Sequence, residues 1–377
     1  MSWRRLMAVA RKELIQIWRD SRSLGIVLVM PLAMMLLFGY GVNLDMKHIP
    51  VCVFDREGSR QSQDLLKRFQ SSDYFDVVRA VDNYPALVRA IDSGQARIGL
   101  VVPQDFSERL RTGETASVQA IVDATDDNTA NLAISYSDAV VRGYSQQVQF
   151  DWLRQQGRPE PNPPISVDAR TWFNEDLESK AFIVPGVLAL VMSVIGAFLT
   201  SLTIAREWER GSMEQLISTP VTPLEIMLGK LAPYFVIGML NTAVCAVVAI
   251  WWFEVPFRGS FAALFVSSAL FMVVVMALGF FISVIGKSQL AASQIALTAT
   301  FLPAFLLSGF LFSIDQMPAV IRAVTHAIPA RYFVTILKDV FLKGSSLALL
   351  KGDLAALAFF AAALTLVATR SFKKKLG

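Results

Sequence analysis

The chain has 377 residues, of which 54% are hydrophobic and only 18% charged, against roughly 25% charged in ordinary soluble domains. With a mean hydropathy of +0.48, an ordinary water-soluble protein is excluded. The net charge of +4 does not point to nucleic acid, because the basic residues gather at the borders of apolar segments. Two cysteines, Cys52 and Cys245, rule out a disulfide framework or a cysteine metal cluster.

Residues 1–23 read as an amphipathic helix on the cytoplasmic membrane surface. Trp3, Leu6, Met7, Ala10, Leu14, Ile17 and Trp18 share one face at 100° per residue; Arg4, Arg5, Arg11, Lys12, Gln16 and Arg19 fill the other. The first apolar run, 24–42, is too long for a signal-peptide core, and no small-residue cleavage site follows it. It is expected to stay as an uncleaved membrane anchor.

The stretch 43–181 changes character and reads as an exported α/β domain. Strands are expected at Pro50–Asp55, Tyr74–Val81, Arg97–Val102 and Val118–Asp123. Helices are expected at Gln61–Gln70, Asn83–Ser93, Asp105–Arg111 and Asn128–Gln155. The proline-rich segment Arg158–Pro164 cannot be regular structure and reads as a linker.

Five further apolar runs follow in 182–377: Phe182–Ile204, Leu231–Phe253, Phe261–Ile285, Gln289–Phe312 and Leu354–Ala368. Most match the ~20 residues needed to cross a bilayer, so the whole is a polytopic α-helical membrane protein with six transmembrane helices. No run carries an ionisable side chain through its centre. Proton- or ion-driven carriers place such groups at membrane depth, so energy for work is expected from a partner. Basic residues before the first run and after the last place both termini in the cytoplasm.

Between the second and third runs, 206–219 reads as a short charged helix and turn, suited to receiving force from a soluble partner. Thr222-Pro223-Leu224-Glu225 opens the next helix as a capping box. The stretch 313–346, broken at Pro329, reads as two short helices dipping into the outer border, because non-helical backbone there must be covered. Within the spans Asn241, Thr242, Thr298, Thr300 and Ser308 are candidates for a polar path, with helix–helix hydrogen bonding the equal alternative.

Other motifs carry nothing. Gly286-Lys287-Ser288 lacks the first glycine of a phosphate loop and follows no strand. Asp123, Asp126 and Asp127 lack calcium-loop spacing, and His48 and His326 are isolated. No nucleophile–base–acid set stands out.

An ordered set of short motifs completes the reading. It runs Arg11-Lys12-Glu13, Arg19-Asp20, Gly39-Tyr40-Gly41, Trp172-Phe173-Asn174 and Arg206-Glu207-Trp208-Glu209-Arg210-Gly211-Ser212-Met213-Glu214. Thr219-Pro220, Leu307-Ser308-Gly309, Met317-Pro318 and Pro329-Ala330-Arg331-Tyr332-Phe333 follow. In this order they resemble the permease subunit of ABC-2 type exporters, of the multidrug-efflux kind with a large exported domain. Ser212 stands where many relatives have Thr.

The resemblance implies the ABC-2 exporter fold and a subunit that is not itself an enzyme. ATP and magnesium would be held by separate ABC ATPase subunits, and this chain would bind no cofactor or metal. A second permease, identical or related, would complete the pore, and a periplasmic adaptor would meet the exported domain. ATPase coupling would fall to Arg206, Glu207, Glu209, Arg210, Gly211, Glu214, Thr219 and Pro220, beside Lys12, Glu13, Arg19 and Asp20 of the interfacial helix. Pro329, Arg331 and Phe333 would belong to the outer re-entrant element, and Asn241, Thr298, Thr300 and Ser308 to the translocation path. The expected setting is the bacterial inner membrane, with hydrophobic or amphiphilic drugs as cargo. A lipid or glycolipid exporter of the same superfamily is the alternative, and a membrane-anchored sensor a more distant one.

Overall fold

The computed structural model describes residues 2–41, 48–155, 172–173, 178–286 and 288–372, with no side chain described at 21–24, 26, 127, 128, 155, 214, 216 and 217. Val42, the linker Arg158–Pro164, Asn174, Lys287 and the side chain of Glu214 lie outside the described residues. The chain divides into two compact units, Met1–Asn43 with Thr171–Gly377, and Leu44–Arg170. The first unit begins with α1 (Trp3–Arg19) and α2 (Ser21–Gly41).

The second unit is a four-stranded sheet with helices on both faces. In chain order it holds β1 (Ile49–Asp55), α3 (Arg60–Gln70), β2 (Phe75–Ala80), α4 (Tyr84–Asp92), β3 (Ile98–Val102), α5 (Phe106–Thr112), β4 (Gln119–Val122) and α6 (Asp127–Gln155). Strand order is β2-β1-β3-β4, with β1 parallel to both neighbours and β4 antiparallel to β3. The period of two in the strands sorts the core. Val51, Val53, Ile98 and Leu100 pack with Leu65 and Phe69 of α3 and Phe106 of α5. Cys52 and Val101 turn the other way, onto Leu87 and Ala90 of α4. Helix starts follow side-chain caps: Ser59 Oγ accepts from Ser62 N at 3.1 Å and Asn83 Oδ1 from Ala86 N at 2.9 Å.

The first unit resumes with α7 (Ser179–Glu209), α8 (Met213–Ser218), α9 (Pro223–Val247), α10 (Phe261–Gly286), α11 (Gln289–Leu307), α12 (Ala319–Thr325), α13 (Pro329–Lys338) and α14 (Lys351–Ser371). A π turn extends α9 to Trp252, and another extends α13 to Lys343. Five of these helices (α7, α9, α10, α11 and α14) are long and apolar enough to cross a membrane; the apolar stretch of α2, Val27–Gly41, is shorter. Helix α7 is the axis of the bundle, buried along nearly all its length and touched by α2, α9, α10, α11 and α13. Gly279 of α10 lets the axis be approached closely. A Cβ there would fall 2.5 Å from the Ala197 carbonyl oxygen.

The bundle has two distinct ends. At one lie α1, the 210–222 turn and the end of α14, whose Thr369 Oγ1 is 3.5 Å from Met227 Sδ near the start of α9. At the other, Tyr40 of α2 packs on Phe253 with the rings tilted and their centroids 5.1 Å apart, and accepts a 3.0 Å hydrogen bond from Trp252 Nε1. Helices α12 and α13 meet at 85° across a short break. Phe333 of α13 stacks on Phe271 at 4.3 Å, and Lys338 Nζ donates to the Gly309 carbonyl at 2.7 Å.

Two features of the helices add to the sequence reading. The helices outrun the apolar runs, so α7 carries Arg206 and Glu207 and α9 carries Lys230, all buried. Ionisable groups are therefore part of the long helices, gathered at one end where they pair. The apolar face of α1 also divides. Leu6 and Ile17 are buried, whereas Trp3, Met7, Leu14 and Trp18 are exposed, because the helix turns the side bearing Glu13 toward α9.

Candidate functional site

Three helices converge on a buried charge cluster at the end that holds α1. Lys230 Nζ of α9 lies 2.9 Å from Glu13 Oε2 of α1 and 2.8 Å from Glu207 Oε1 of α7. The Lys230, Glu13 and Glu207 side chains are at most 4% exposed. Lys12 Nζ reaches the same Glu207 oxygen at 3.0 Å from the surface side. Tyr234 donates its hydroxyl to Glu13 Oε1 at 2.9 Å, and Ser212 donates to Glu207 Oε2. Two carboxylates thus face two ammonium groups, and the remaining carboxylate oxygens take hydroxyl protons. Such satisfaction is what makes buried charge tolerable. Arg206 and Asp20 add a second link between α7 and the end of α1, at 3.6 Å.

The polar contacts continue along α1 and the turn after α8. Glu225 closes the capping box, accepting from Thr222 N at 2.9 Å while Thr222 Oγ1 accepts from Glu225 N. Its other oxygen accepts from Ser2 N at 2.5 Å. Arg5 Nη1 donates to the Pro220 carbonyl at 2.6 Å. Glu209 reaches across to the start of α11, accepting from Gln289 N at 2.6 Å and from its side chain. A carboxylate suits that place, since the first amides of a helix lack partners.

The predicted coupling residues therefore separate into two groups. Arg206 and Glu207 point inward and hold α7 to its neighbours; Glu209, Arg210, Gly211 and Pro220 are exposed, and Thr219 is half-buried. The Arg210 side chain makes no hydrogen bond or ion pair among the described residues, and Gly211 turns the chain out of α7 at φ 67°. In α1, Lys12 and Glu13 join the cluster while Arg19 stays exposed, and Asp20 at its end pairs with Arg206.

The other predicted residues do not line one cavity. Asn241 Nδ2 donates to the Val27 carbonyl at 3.1 Å and ties α9 to α2. Thr300 and Ser308 donate to backbone carbonyls one turn back, at Ala296 and Ala304, and Thr298 is exposed on α11. Pro329 opens α13; Arg331 Nη1 donates to Thr325 Oγ1 at 2.6 Å, and Phe333 is fully buried. Ser288 caps α11 through Ala291 N, a structural use for the end of the apparent phosphate motif.

Lys230, Tyr234 and Ser212 were not among the sequence candidates for the site. Lys230 borders an apolar run and so passes for a solvated boundary charge. Counting from the Thr222 cap, Ile226, Met227, Lys230 and Tyr234 fall on one helical face, and that register was the available signal.

A bundle with five helices long and apolar enough to cross a membrane, and a charged turn locked to α1, is the architecture of a polytopic membrane protein. The profile of the ABC-2 family transporter proteins matches residues 23–370, and the chain belongs to that family. It is a transport subunit and not an enzyme. Over 351 residues it is 43% identical to the probable multidrug ABC transporter permease YbhS of Escherichia coli K12, covering 92% of this chain and 90% of the relative. The probable multidrug permease YbhR of the same organism is 29% identical over 98% of this chain and 99% of its own length. ABC transporter G family member 20 of Dictyostelium discoideum is 23% identical over 90% of this chain and 46% of its own length.

Proposed function

We propose that this chain is the membrane half of an ATP-driven exporter that moves hydrophobic or amphiphilic compounds out of the cytoplasm or inner leaflet. Helix α2 is the first of six crossings, both termini face the cytoplasm, and the α/β unit is exported. Nucleotide is bound and hydrolysed by a separate ABC ATPase, and a second permease completes the pore. The printed descriptions of YbhS and YbhR as multidrug permeases support drug-like cargo.

One observation carries the mechanism: the end of α7 is tied by buried charge to both α1 and α9. Force applied at the exposed Arg210–Gly211 corner and α8 passes into α7 through Glu207 and into α1 and α9 through Lys230. These three helices then move as one lever rather than sliding separately. Helix α7 touches most of the bundle, so its displacement repacks α2 and α11. Glu209, bonded to the start of α11, transmits the same motion directly.

The test is the purified permease–ATPase complex. Arg210→Glu, at an exposed and unpaired site, is expected to weaken ATPase association while leaving the permease's thermal unfolding unchanged. Unaltered association and hydrolysis would place the docking surface elsewhere.

A further inference from the structure

At the end of the bundle away from the charge cluster, one peptide unit is held by side chains on both sides. The chain leaves the helix after Leu307. The Gly309 carbonyl accepts from Lys338 Nζ of α13 at 2.7 Å. The Phe310 amide, which lies in the same peptide plane, donates to Ser308 Oγ at 3.2 Å. Buried backbone groups outside a helix need such partners, and here one of them comes from a different helix. The Lys338 ammonium also sits over the Phe182 ring of α7, 3.3 Å from its centroid. Lys338 is half-buried and pairs with no carboxylate among the described residues. A cation withdrawn from water without a counter-charge is costly, so packing alone does not account for it.

What this peptide places is a ring. Phe310 is fully buried and seats on Gly186 of α7, where a Cβ would strike it. Aromatic contacts run from it toward the flank of the bundle. Its centroid lies 6.0 Å from that of Phe38 on α2 and 5.8 Å from that of Phe305 on α11, and those two are 5.9 Å apart. Edge-on and tilted pairs at such distances attract, so three rings fill the space between α2, α7 and α11. Phe38 and Phe305 are half-buried, and Phe310 is the innermost of the three.

We infer that Phe310 is the outer stop of a transport path along α2, α7 and α11, and that Lys338 is the positioning residue that keeps the stop shut through the Gly309 carbonyl. Helix α7 carries both Phe182, beneath the ammonium, and Gly186, beneath the ring. Displacement of α7 therefore disturbs the catch and the seat together, and the ring is released. The path rests on the export reading, whereas the stop can be measured without cargo or ATPase.

The test uses the full chain carrying Met35→Cys in phosphatidylcholine nanodiscs, with a water-soluble, positively charged methanethiosulfonate as probe and peptide mass spectrometry to separate the sites. Met35 is fully buried on α2, one turn from Phe38 toward α1, and the native Cys245 of α9 is buried elsewhere in the bundle. Lys338→Met is expected to speed labelling at position 35 roughly tenfold, the effect of losing one hydrogen bond from a charged group, while Cys245 stays slow. Phe310→Leu, which shortens the ring and leaves Lys338 in place, carries the same expectation and decides the matter if Lys338→Met fails to fold. Equal acceleration at position 35 and at Cys245 would show that Lys338 only braces the bundle, and unchanged labelling at position 35 would remove the stop. Selective acceleration in a chain that captures no ATPase would keep the stop and sink the export reading alone.

Discussion

Lys230 shows how much a single buried charge can organise. It sits between two carboxylates from two other helices, so its removal leaves Glu13 buried without its ammonium partner and Glu207 with Lys12 alone. Breaking a buried pair in this way costs about 3–5 kcal/mol, and Lys230→Met is expected to lower the thermal unfolding temperature of the detergent-purified protein accordingly. Lys12 is 54% exposed; Lys12→Ala is expected to cost no more than about 1 kcal/mol, as surface pairs do. Adding Glu13→Gln and Glu207→Gln to Lys230→Met removes the unpaired charges and is expected to recover most of the stability. The α/β unit holds a different kind of pair. Thr125 and then Arg97 hold the Asp123 carboxyl down to about 2, with Arg97 Nη1 at 2.5 Å. A depressed carboxyl stabilises the folded state above its unfolded value of about 3.9 and loses that contribution as pH falls toward 2. Arg97→Gln is therefore expected to make this unit sensitive to pepsin at higher pH than the parent. Identical pH profiles for the two would rule out that role.

At the scale of elements, the tightest constraint is the contact of α7 with α10. A methyl group at Gly279 would press on the Ala197 carbonyl, which belongs to the backbone and cannot rotate away. Gly279→Ala is expected to separate the two helices and destabilise the bundle by roughly 1–3 kcal/mol, as overpacking does, measurable by thermal unfolding. Most elements could be read from the chain because their signals are local. The strands β1 and β3 announce themselves by apolar runs, α3 and α4 by Ser59 and Asn83 caps, and α9 by its capping box. The charge cluster could not be read this way. Glu13 stands within the amphipathic α1, and Glu207 and Lys230 each sit beside an apolar run as a border charge does. Only the packing of α1 onto α9 brings them together, and no periodicity in one segment encodes that. The inward turn of Arg206 and Glu207 has the same origin: the helical register of α7 continues past its apolar run, carrying the next two residues into the interior.

Over the whole molecule, two units with different physics share one chain. The α/β unit has its own core on both faces of a sheet, while the bundle is built around α7 and exposes apolar side chains of α2 and α11 along its flank. Leu37 and Tyr40 of α2 and Ile295 and Leu302 of α11 are among these. In the proposed exporter that flank would face the second permease and the charged end the ATPase. The most direct test is to purify the tagged chain in mild detergent with its co-purifying proteins. The account predicts a nucleotide-binding subunit that hydrolyses ATP, and whose association falls with Arg210→Glu. It further predicts that the charge-free triple variant at Lys230, Glu13 and Glu207 keeps the subunit bound but loses cargo-stimulated hydrolysis. A permease that purifies alone, with no ATPase captured even after cross-linking, would contradict it.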